Sequence, residues 1–291
     1  MKFLHIGNNI CGIPNAIARA QREAGHEATT LSFEPDPQGH QSDILIPTTS
    51  RVNRFLALLE RDDEVFFFVG DTPVGGIDIL FWKLLGKKVA IEYHGSEVRG
   101  KGPRLFHRFA DALFVSTPDL LDDVPGGVWL PSPIFIGDYP VAEPNGTVIA
   151  HAPSNREAKG TQYLVEAFER VLKKIPTAKL NLIEGVPYPE AIQQYRHATV
   201  MVDQLKIGWY GMVTLECMAM GVPVMCYIRG DLREYLHCAV CYTSPERLEK
   251  DLLLVLSCEG YLDFWAKKGK SHVSTVHNPK ECVKKIMGAL K

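Results

Sequence analysis

Short apolar runs alternate with amphipathic stretches along the first half of the chain, which is the pattern of strands followed by helices. Val65–Gly70 is apolar at every position, as expected for a central parallel strand covered on both faces. The pattern predicts strands at Phe3–Gly7, Ala28–Phe33, Val65–Gly70, Val89–His94 and Leu113–Ser116, and helices at Ile13–Ala24, Val52–Leu59, Ile77–Leu85 and Pro103–Ala110. Such a series predicts a doubly wound parallel sheet.

The regularity stops between Gly126 and Gly146, where Pro and Gly interrupt both helices and interior strands. Within this stretch we predict an interdomain linker over residues 131–146. The alternation then restarts, with predicted strands at Val148–Ala152, Lys179–Glu184, Val200–Leu205, Val224–Ile228 and Val240–Tyr242, and helices at Thr161–Lys174, Pro189–His197, Met212–Met220, Pro245–Ser257, Tyr261–Lys270 and Pro279–Leu290.

The sequence therefore predicts an α/β protein with two Rossmann-like, doubly wound domains that face a cleft. The first covers residues 1–130 and the second covers residues 147–291. Ligands of such sheets bind outside the carboxyl ends of the strands, so the polar and glycine-rich segments at those ends are the candidate site segments.

The composition narrows the choice of function. The chain has 291 residues, of which 46% are hydrophobic and 23% charged, and a formal net charge of -2. These values are typical of a soluble globular protein and give no whole-protein argument for nucleic acid. No apolar run is long enough to span a membrane, and the first residues do not form a signal peptide, so we predict a cytoplasmic protein.

The cysteines give little indication of a metal site. Cys238 and Cys241 form a C-x-x-C pair, but no second pair supplies the further ligands that a zinc site needs. Buried thiols are the favoured interpretation, and we expect no metal.

Two candidate segments follow strands of the first domain. The loop from Gly7 to Gly12 opens the first helix, where backbone N–H groups can approach an anion. It is either a ligand loop or a tight strand–helix turn. His94 ends a strand beside a glycine, and it either bonds a ligand or has a structural role.

Two further candidates lie in the second domain. Arg156 and Lys159 lie at a helix start, where cations oppose the helix dipole; they either neutralise a bound diphosphate or form a solvated turn. Glu216 lies one turn into a helix after the glycine turn of Gly208 and Gly211. Its apolar neighbours favour a buried glutamate that accepts two ribose hydroxyls over a surface glutamate.

These segments resemble the GT-B retaining glycosyltransferases of group 1, the family 4-like enzymes. His151–Arg156, Lys159–Thr161 and Gly211–Pro223 resemble the donor-binding half of that family. His94–Arg99 and Ser116–Leu120 resemble its acceptor-binding half. The resemblance covers most of the chain and implies a hexosyltransferase-like enzyme. Such an enzyme moves a sugar from a nucleotide diphosphate sugar to an acceptor hydroxyl with retention of configuration, in the synthesis of a surface polysaccharide or glycolipid.

The resemblance also implies a role for each candidate residue. Arg156 and Lys159 hold the diphosphate, Glu216 binds the ribose, the amides near Gly211 and Met212 meet the distal phosphate, His94 contacts the transferred sugar, and Gly7 to Gly12 lie by the reacting centre. No cofactor or metal is implied, because cations and helix N-termini carry the leaving-group charge. The implied partners are the nucleotide sugar and a glycan or lipid-linked acceptor.

Two departures from the family pattern keep alternatives open. Gly208 stands where the family has a second glutamate, and Arg156 and Lys159 are closer together than in many members. The main alternative is a catalytically degenerate GT-B protein that binds nucleotide or glycan without transfer. A nicotinamide-dependent oxidoreductase is disfavoured by the first loop, and a solute-binding protein by the missing signal peptide.

A basic segment of the first domain also has two interpretations. Residues 99–109 contain four Lys and Arg side chains among Leu and Phe. On a helix from Pro103, Leu105, Phe106 and Phe109 share a face, with Arg104 and Arg108 beside it. The segment is either a core-facing helix with a solvated edge or a weak peripheral docking surface at the inner face of the membrane for a lipid-linked or anionic acceptor.

Overall fold

The computed structural model describes residues 1–36, 39–95, 97–236, 239–258 and 260–291. The chain forms two compact units. Unit 1 consists of Met1–Pro133 together with His277–Lys291, and unit 2 consists of Ile134–Val276. Within the described ranges, no helix combines the length and the apolar character that a membrane crossing needs.

The described residues form two sets of parallel strands. In unit 1 these are β1 (Lys2–Ile6), β2 (Glu27–Ser32), β3 (Ile44–Leu45), β4 (Val65–Val69), β5 (Lys88–Tyr93), β6 (Ala112–Val115) and β7 (Val128–Trp129). In unit 2 they are β8 (Thr147–His151), β9 (Ala178–Leu182), β10 (Val200–Val202), β11 (Val224–Cys226) and β12 (Cys241–Tyr242). Most of these strands lie within one or two residues of their predicted bounds.

The helices cover both sheets. They are α1 (Ile13–Glu23), α2 (Arg51–Leu59), α3 (Asp78–Leu84), α4 (Arg156–Lys159), α5 (Thr161–Lys174), α6 (Tyr188–Arg196), α7 (Met212–Met220), α8 (Leu248–Ser257), α9 (Tyr261–Thr275) and α10 (Pro279–Ala289). Helices α5 and α7 have the bounds that the sequence pattern predicts.

The sheet of unit 1 has the strand order β3-β2-β1-β4-β5-β6-β7, and every neighbouring pair is parallel. The order reverses at β1, which lies between β2 and β4 in register with both, since Phe3 pairs with Ala28 and with Val65. In doubly wound sheets the ligand crevice opens at this switch point.

The core of unit 1 is built around β4, as its apolar run predicts. Phe66, Phe67 and Phe68 are fully buried. The Phe66 ring packs against Trp82 at 5.1 Å between centroids, and Phe67 stacks on Phe114 at 5.4 Å. Each such side chain contributes about 1.5–3 kcal/mol when it is removed from water, so this strand anchors the sheet.

The last helix, α10, packs on unit 1. The His277 Nδ1 lies 2.7 Å from the carbonyl oxygen of Ser132, and the Cys282 thiol donates to the carbonyl of Pro131 at 2.9 Å. Lys285 lies over the Trp129 ring. The predicted second domain, residues 147–291, included this helix. The observed division differs because an amphipathic pattern shows that a helix has a buried face but not which unit covers it.

The sheet of unit 2 has the order β12-β11-β10-β8-β9, again with parallel pairs throughout. Its switch point is at β8, which lies between β9 and β10. From Thr214 to Met220, every residue of α7 is buried, so this helix presents no solvated face.

Two predicted segments have a different local structure. The helix expected at Pro103–Ala110 is a short 3₁₀ helix, Leu105–Phe109, and Leu105 is 64% exposed. Arg104 and Ala110 are both in extended conformation, with ψ at 148° and 151°, so the helical segment between them is too short for a regular α-helix. The stretch before the predicted linker also contributes an edge strand, β7, which pairs with β6.

Candidate functional site

His151, the last residue of β8, joins this strand to β10 at the switch point of unit 2. Its Nδ1 lies 2.7 Å from the carbonyl oxygen of Val202, and its Nε2 lies 2.9 Å from the hydroxyl of Thr161. A carbonyl can only accept, so Nδ1 donates to it and Nε2 accepts from Thr161. Burial lowers the pKa of His151, so the neutral ring ties β8 to β10 and to the start of α5.

Asp203, the first residue after β10, organises the edge of this sheet. It is fully buried and accepts three hydrogen bonds: from Lys159 Nζ at 2.7 Å, from the Gly211 amide at 2.8 Å and from the Thr214 hydroxyl at 2.8 Å. Burial acts to raise the pKa of Asp203, but Lys159 and the other two donors bring it below its ordinary value. The ionised carboxylate therefore links α4 to the first turn of α7.

Lys159 thus lies at the N-terminus of α7. A Cβ atom at Gly211 would come within 3.3 Å of Lys159 Nζ, so glycine allows this close approach. The amide of Gly211, one of those predicted to meet the distal phosphate, donates to Asp203. The N–H groups of Met212 and Val213 begin the helix and have no partner within it, which leaves them to meet an anion.

Glu216 is buried within unit 2 rather than exposed. Its side chain is 4% exposed, and Oε1 accepts a hydrogen bond from the Tyr188 hydroxyl at 2.9 Å. Burial raises the pKa of Glu216 to about 7; the bond from Tyr188 lowers it and the charge of Asp203 raises it. Glu216 is therefore not a surface residue, and its carboxyl group titrates near neutral pH.

A single side chain, Gln204, shapes the glycine loop before α7. Its Oε1 accepts from the amides of Lys206, Ile207 and Gly208, and its Nε2 donates to the carbonyls of Trp209 and Tyr227. Gly208 stands in this loop with φ at +92°. The position that carries a glutamate in the resembled family is therefore part of a tightly bonded turn.

Arg156 does not join Lys159. It begins α4, which Asn155 caps through the Ala158 amide, and its guanidinium binds Glu184 through Nε and Nη2. The Arg156 side chain is 63% exposed. The two predicted diphosphate ligands therefore have separate carboxylate partners, Glu184 and Asp203.

In unit 1, His94 lies directly after β5 and close to a buried acid of that strand, Glu92. Its Nε2 is 3.7 Å from Oε2 of Glu92, which is too long for a hydrogen bond. Neither Nε2 nor the two Glu92 oxygens has a hydrogen-bond partner among the described residues. Burial, with a smaller effect of Glu97, raises the pKa of Glu92 to about 8, and burial lowers that of His94 to about 4. Both groups are therefore neutral at pH 7. Ser96 of this motif lies outside the described residues.

A cavity of about 420 Å³ opens at the switch point of unit 1. Gly7 and Asn8 line it from the end of β1, and Gly70 and Asp71 line it from the end of β4. Gly12, at the other end of the predicted ligand loop, instead precedes α1 and packs against His40.

The structure describes one member of the C-x-x-C pair, Cys241, whose thiol is buried; Cys238 lies outside the described residues. Within the described ranges, no cluster of three or more His, Cys, Asp or Glu side chains is arranged as a metal site.

Sequence reasoning missed Asp203, Gln204 and Tyr188 in unit 2 and most of the cavity in unit 1. A signal for the first two was present, because they are polar residues directly after the apolar strand Val200–Val202. His94 was predicted as a candidate on this ground, because it also ends an apolar strand. Tyr188 gave no such signal, since a tyrosine at a helix start is common on protein surfaces.

No protein-family model matches the chain, and no curated protein sequence is significantly similar to it. Solved structures are similar in fold. Sucrose-phosphate synthase from Thermosynechococcus elongatus superposes with a TM-score of 0.71 at 13% identity, covering 99% of this chain and 98% of that one. HepE from Anabaena, in complex with UDP-glucose, superposes with a TM-score of 0.70 at 12% identity, covering 100% and 99%.

The chain has the GT-B fold. The same two-sheet fold occurs in UDP-GlcNAc 2-epimerase from Neisseria meningitidis bound to UDP-GlcNAc, with a TM-score of 0.66 at 12% identity over 99% of this chain and 100% of that one. Because the fold is shared by proteins of different activity, function has to be argued from the site.

Proposed function

We propose that the chain is a glycosyltransferase that takes a sugar from a nucleotide diphosphate sugar and transfers it to an acceptor hydroxyl. The observation that carries the proposal is the arrangement at the start of α7. There Lys159, the first helical amides and the buried Glu216 lie around the switch point of one parallel sheet. The nucleotide sugars present in similarly folded structures, UDP-glucose in HepE and UDP-GlcNAc in the epimerase, support this donor class.

Each part of the arrangement suits one part of a nucleotide diphosphate. The ionised carboxylate of Glu216 can accept both ribose hydroxyls. The N–H groups of Met212 and Val213, at the positive end of the helix dipole, can donate hydrogen bonds to the oxygens of a phosphate. Lys159 adds a full positive charge, which Asp203 balances in the ligand-free protein.

We propose retention of configuration, with attack from the face that the leaving group occupies. The bond between the sugar carbon and the acceptor oxygen forms as the bond to the diphosphate breaks, and the acceptor proton passes to the leaving phosphate oxygen. Charge builds on the diphosphate during this step, so fixed donors at the helix start stabilise the transition state more than the ground state. We assign the product to a surface polysaccharide or glycolipid, and His94 to contact with the transferred sugar.

Nucleotide binding is the first test. Isothermal titration calorimetry with a panel of nucleoside diphosphates should show binding that Glu216→Gln weakens about 10- to 100-fold, the cost of about 1.5–3 kcal/mol for a hydrogen bond to a charged group. Glu169→Gln, a change at an exposed position of α5, is the matched control and should bind as the unchanged protein does. Equal affinity of the Glu216 variant and the control would remove the basis of the proposal.

Product analysis separates the remaining activities. NMR spectra of the incubated nucleotide sugar should show a new glycoside with the anomeric configuration of the donor. Inversion at C2 of the sugar without transfer would identify an epimerase, an activity found on the same fold. Binding with neither transfer nor hydrolysis would identify a degenerate binding protein, the alternative that Gly208 keeps open.

A further inference from the structure

The cavity of unit 1 carries an excess of positive charge. Arg51, Arg54 and Arg104 line it, against the two carboxylates of Asp71 and Glu97. The whole chain, in contrast, has a net charge of -2. A concave site with locally concentrated positive charge attracts anions more strongly than the total charge implies.

The local partners do not fully account for these arginines. Arg54 Nη2 pairs with Glu34 at 2.6 Å, and Arg104 Nη2 pairs with Asp71 at 3.0 Å. Arg51 makes no ion pair with any described residue. Arg51 and Arg54 both occupy the first turn of α2, which contains no acidic residue. Cations there are unfavourable to the helix dipole, by about 0.3–1 kcal/mol each, and a bound anion would reverse that cost.

The wall that holds Arg104 is built from buried groups. Asp71 accepts from Arg104 and, through Oδ1, from His107 Nε2 at 3.1 Å. A carboxylate accepts, so Nε2 of His107 carries the proton, and its Nδ1 accepts from the Tyr93 hydroxyl. Tyr93 and His107 are each 1% exposed.

A glycine permits this packing. At Gly76, with φ at +91°, a Cβ atom would come within 2.7 Å of the His107 ring. Gly76 therefore lets His107 approach closely behind Asp71, and Asp71 in turn pairs with Arg104 at the cavity.

We propose that this cavity binds a sugar that carries an oxyanion, either a phosphate or a carboxylate. The guanidinium groups of Arg51, Arg54 and Arg104 take the oxyanion, because their planar forks match its oxygens, and Asp71 and Glu97 accept sugar hydroxyls. The volume of about 420 Å³ lies in the range of small-molecule sites. That this sugar is the acceptor of the transfer reaction rests on the proposed function; that the cavity binds it does not.

Binding of three matched sugars by the full chain tests the proposal. At least one of the two charged sugars, glucose 6-phosphate and glucuronate, should bind at least about tenfold more tightly than glucose in calorimetric titrations, since a charge-assisted hydrogen bond contributes at least about 1.5 kcal/mol. Whichever of the two charged sugars binds more tightly identifies the oxyanion as a phosphate or a carboxylate. Equal affinity for all three sugars would overturn the proposal.

Variants locate the site. Arg51→Gln and Arg54→Gln should each weaken the charged sugar several-fold and leave glucose unchanged, and the double variant should remove the preference. Arg19→Gln, which alters an exposed arginine paired with Glu23 on α1 of the same unit, is the control. An equal loss in the control, or none in the double variant, would place the binding elsewhere.

Two further measurements distinguish sugar binding in this cavity from binding of free phosphate and from nucleotide binding in unit 2. If inorganic phosphate binds as tightly as glucose 6-phosphate with the same arginine dependence, the cavity takes free phosphate, and the assignment to a sugar is wrong. Nucleoside diphosphate affinity should not change in the Arg51 and Arg54 variants. A result in which sugar binding fails while the dependence on Glu216 persists would reject this inference alone.

Discussion

Glu92 in unit 1 and Asp203 in unit 2 are both fully buried carboxyl groups, yet their surroundings leave Glu92 neutral and Asp203 ionised at pH 7. Asp203 has an ammonium group and two further donors, and its pKa is lowered. Glu92 has no hydrogen-bond partner among the described residues, and burial raises its pKa to about 8. Burial penalises the charged form in both cases, so the donors decide the protonation state.

The two candidate site segments therefore differ in how their polar groups are paired in the ligand-free protein. The first turn of α7 is held by an ion pair already formed in the ligand-free protein. The end of β5 instead carries a neutral acid and a neutral imidazole, Glu92 and His94, which are 3.7 Å apart. The start of α7 therefore has its hydrogen bonds already formed, whereas Glu92 and His94 at the end of β5 keep polar atoms without a hydrogen-bond partner among the described residues.

Breaking the paired acid should give the largest effect. In Asp203→Asn, Lys159 keeps a charge that is 13% exposed, and the amide offers one acceptor where the carboxylate offers two oxygens. We expect a loss of about 3 kcal/mol in the free energy of unfolding, at the lower end for one broken partner of a buried pair. Denaturant titrations would measure it.

A second substitution, which removes the positive charge of Lys159, tests whether the unpaired charge causes this loss. Adding Lys159→Met to Asp203→Asn should recover part of the loss, because the unpaired charge is gone. Asp231→Asn, at an exposed acid paired with Arg229, should change stability by less than about 0.5 kcal/mol. Normal stability of Asp203→Asn would show that the network contributes little.

The unpaired acid should reveal itself through pH. The pKa of Glu92 is raised from 4.5 to about 8, so the folded protein holds a proton that the unfolded chain releases above about pH 5, and stability falls as pH rises towards 8. Glu216, with a pKa raised to about 7, adds the same trend, which is largest below pH 7 and fades between pH 7 and pH 8. His94, with a pKa lowered to about 4, acts below pH 6.5 in the opposite direction.

The comparison with Glu92→Gln isolates Glu92, and it is clearest from pH 7 to pH 8, where the contribution of Glu216 fades. Stability should fall there by about 1 kcal/mol in the unchanged protein, and this part of the slope should be absent in Glu92→Gln. The other charged or titratable groups that act on Glu92, Glu97 and Cys282, are retained in both proteins. Parallel pH–stability curves would mean that Glu92 is ionised in the folded state.

The sequence identified the sheets well because their residues lie inside contiguous apolar runs, such as Val65–Val69. It also located Glu216 as buried, since the apolar neighbours on α7 leave no polar face. It could not identify the partners. Lys159 and Asp203 are 44 residues apart, and nothing in either local pattern indicates that they meet. The partner of Arg156 could not be predicted for the same reason, because Glu184 lies after another strand, β9.

The smallest expected effect concerns Glu216, which is intermediate between the two acids because it has a neutral donor. Tyr188→Phe removes the hydroxyl that donates to Oε1 at 2.9 Å. Since that bond lowers the pKa of Glu216, the pKa should rise above about 7, and the free energy of unfolding should fall by about 0.5–1.5 kcal/mol. Carbon-detected NMR titration of the glutamate carboxyls would follow the first change and denaturant titration the second. Tyr163→Phe, on α5, is the control. An unchanged titration of Glu216 in Tyr188→Phe would mean that burial and the charge of Asp203 set its protonation without the hydroxyl, much as burial and the charge of Glu97 set that of Glu92.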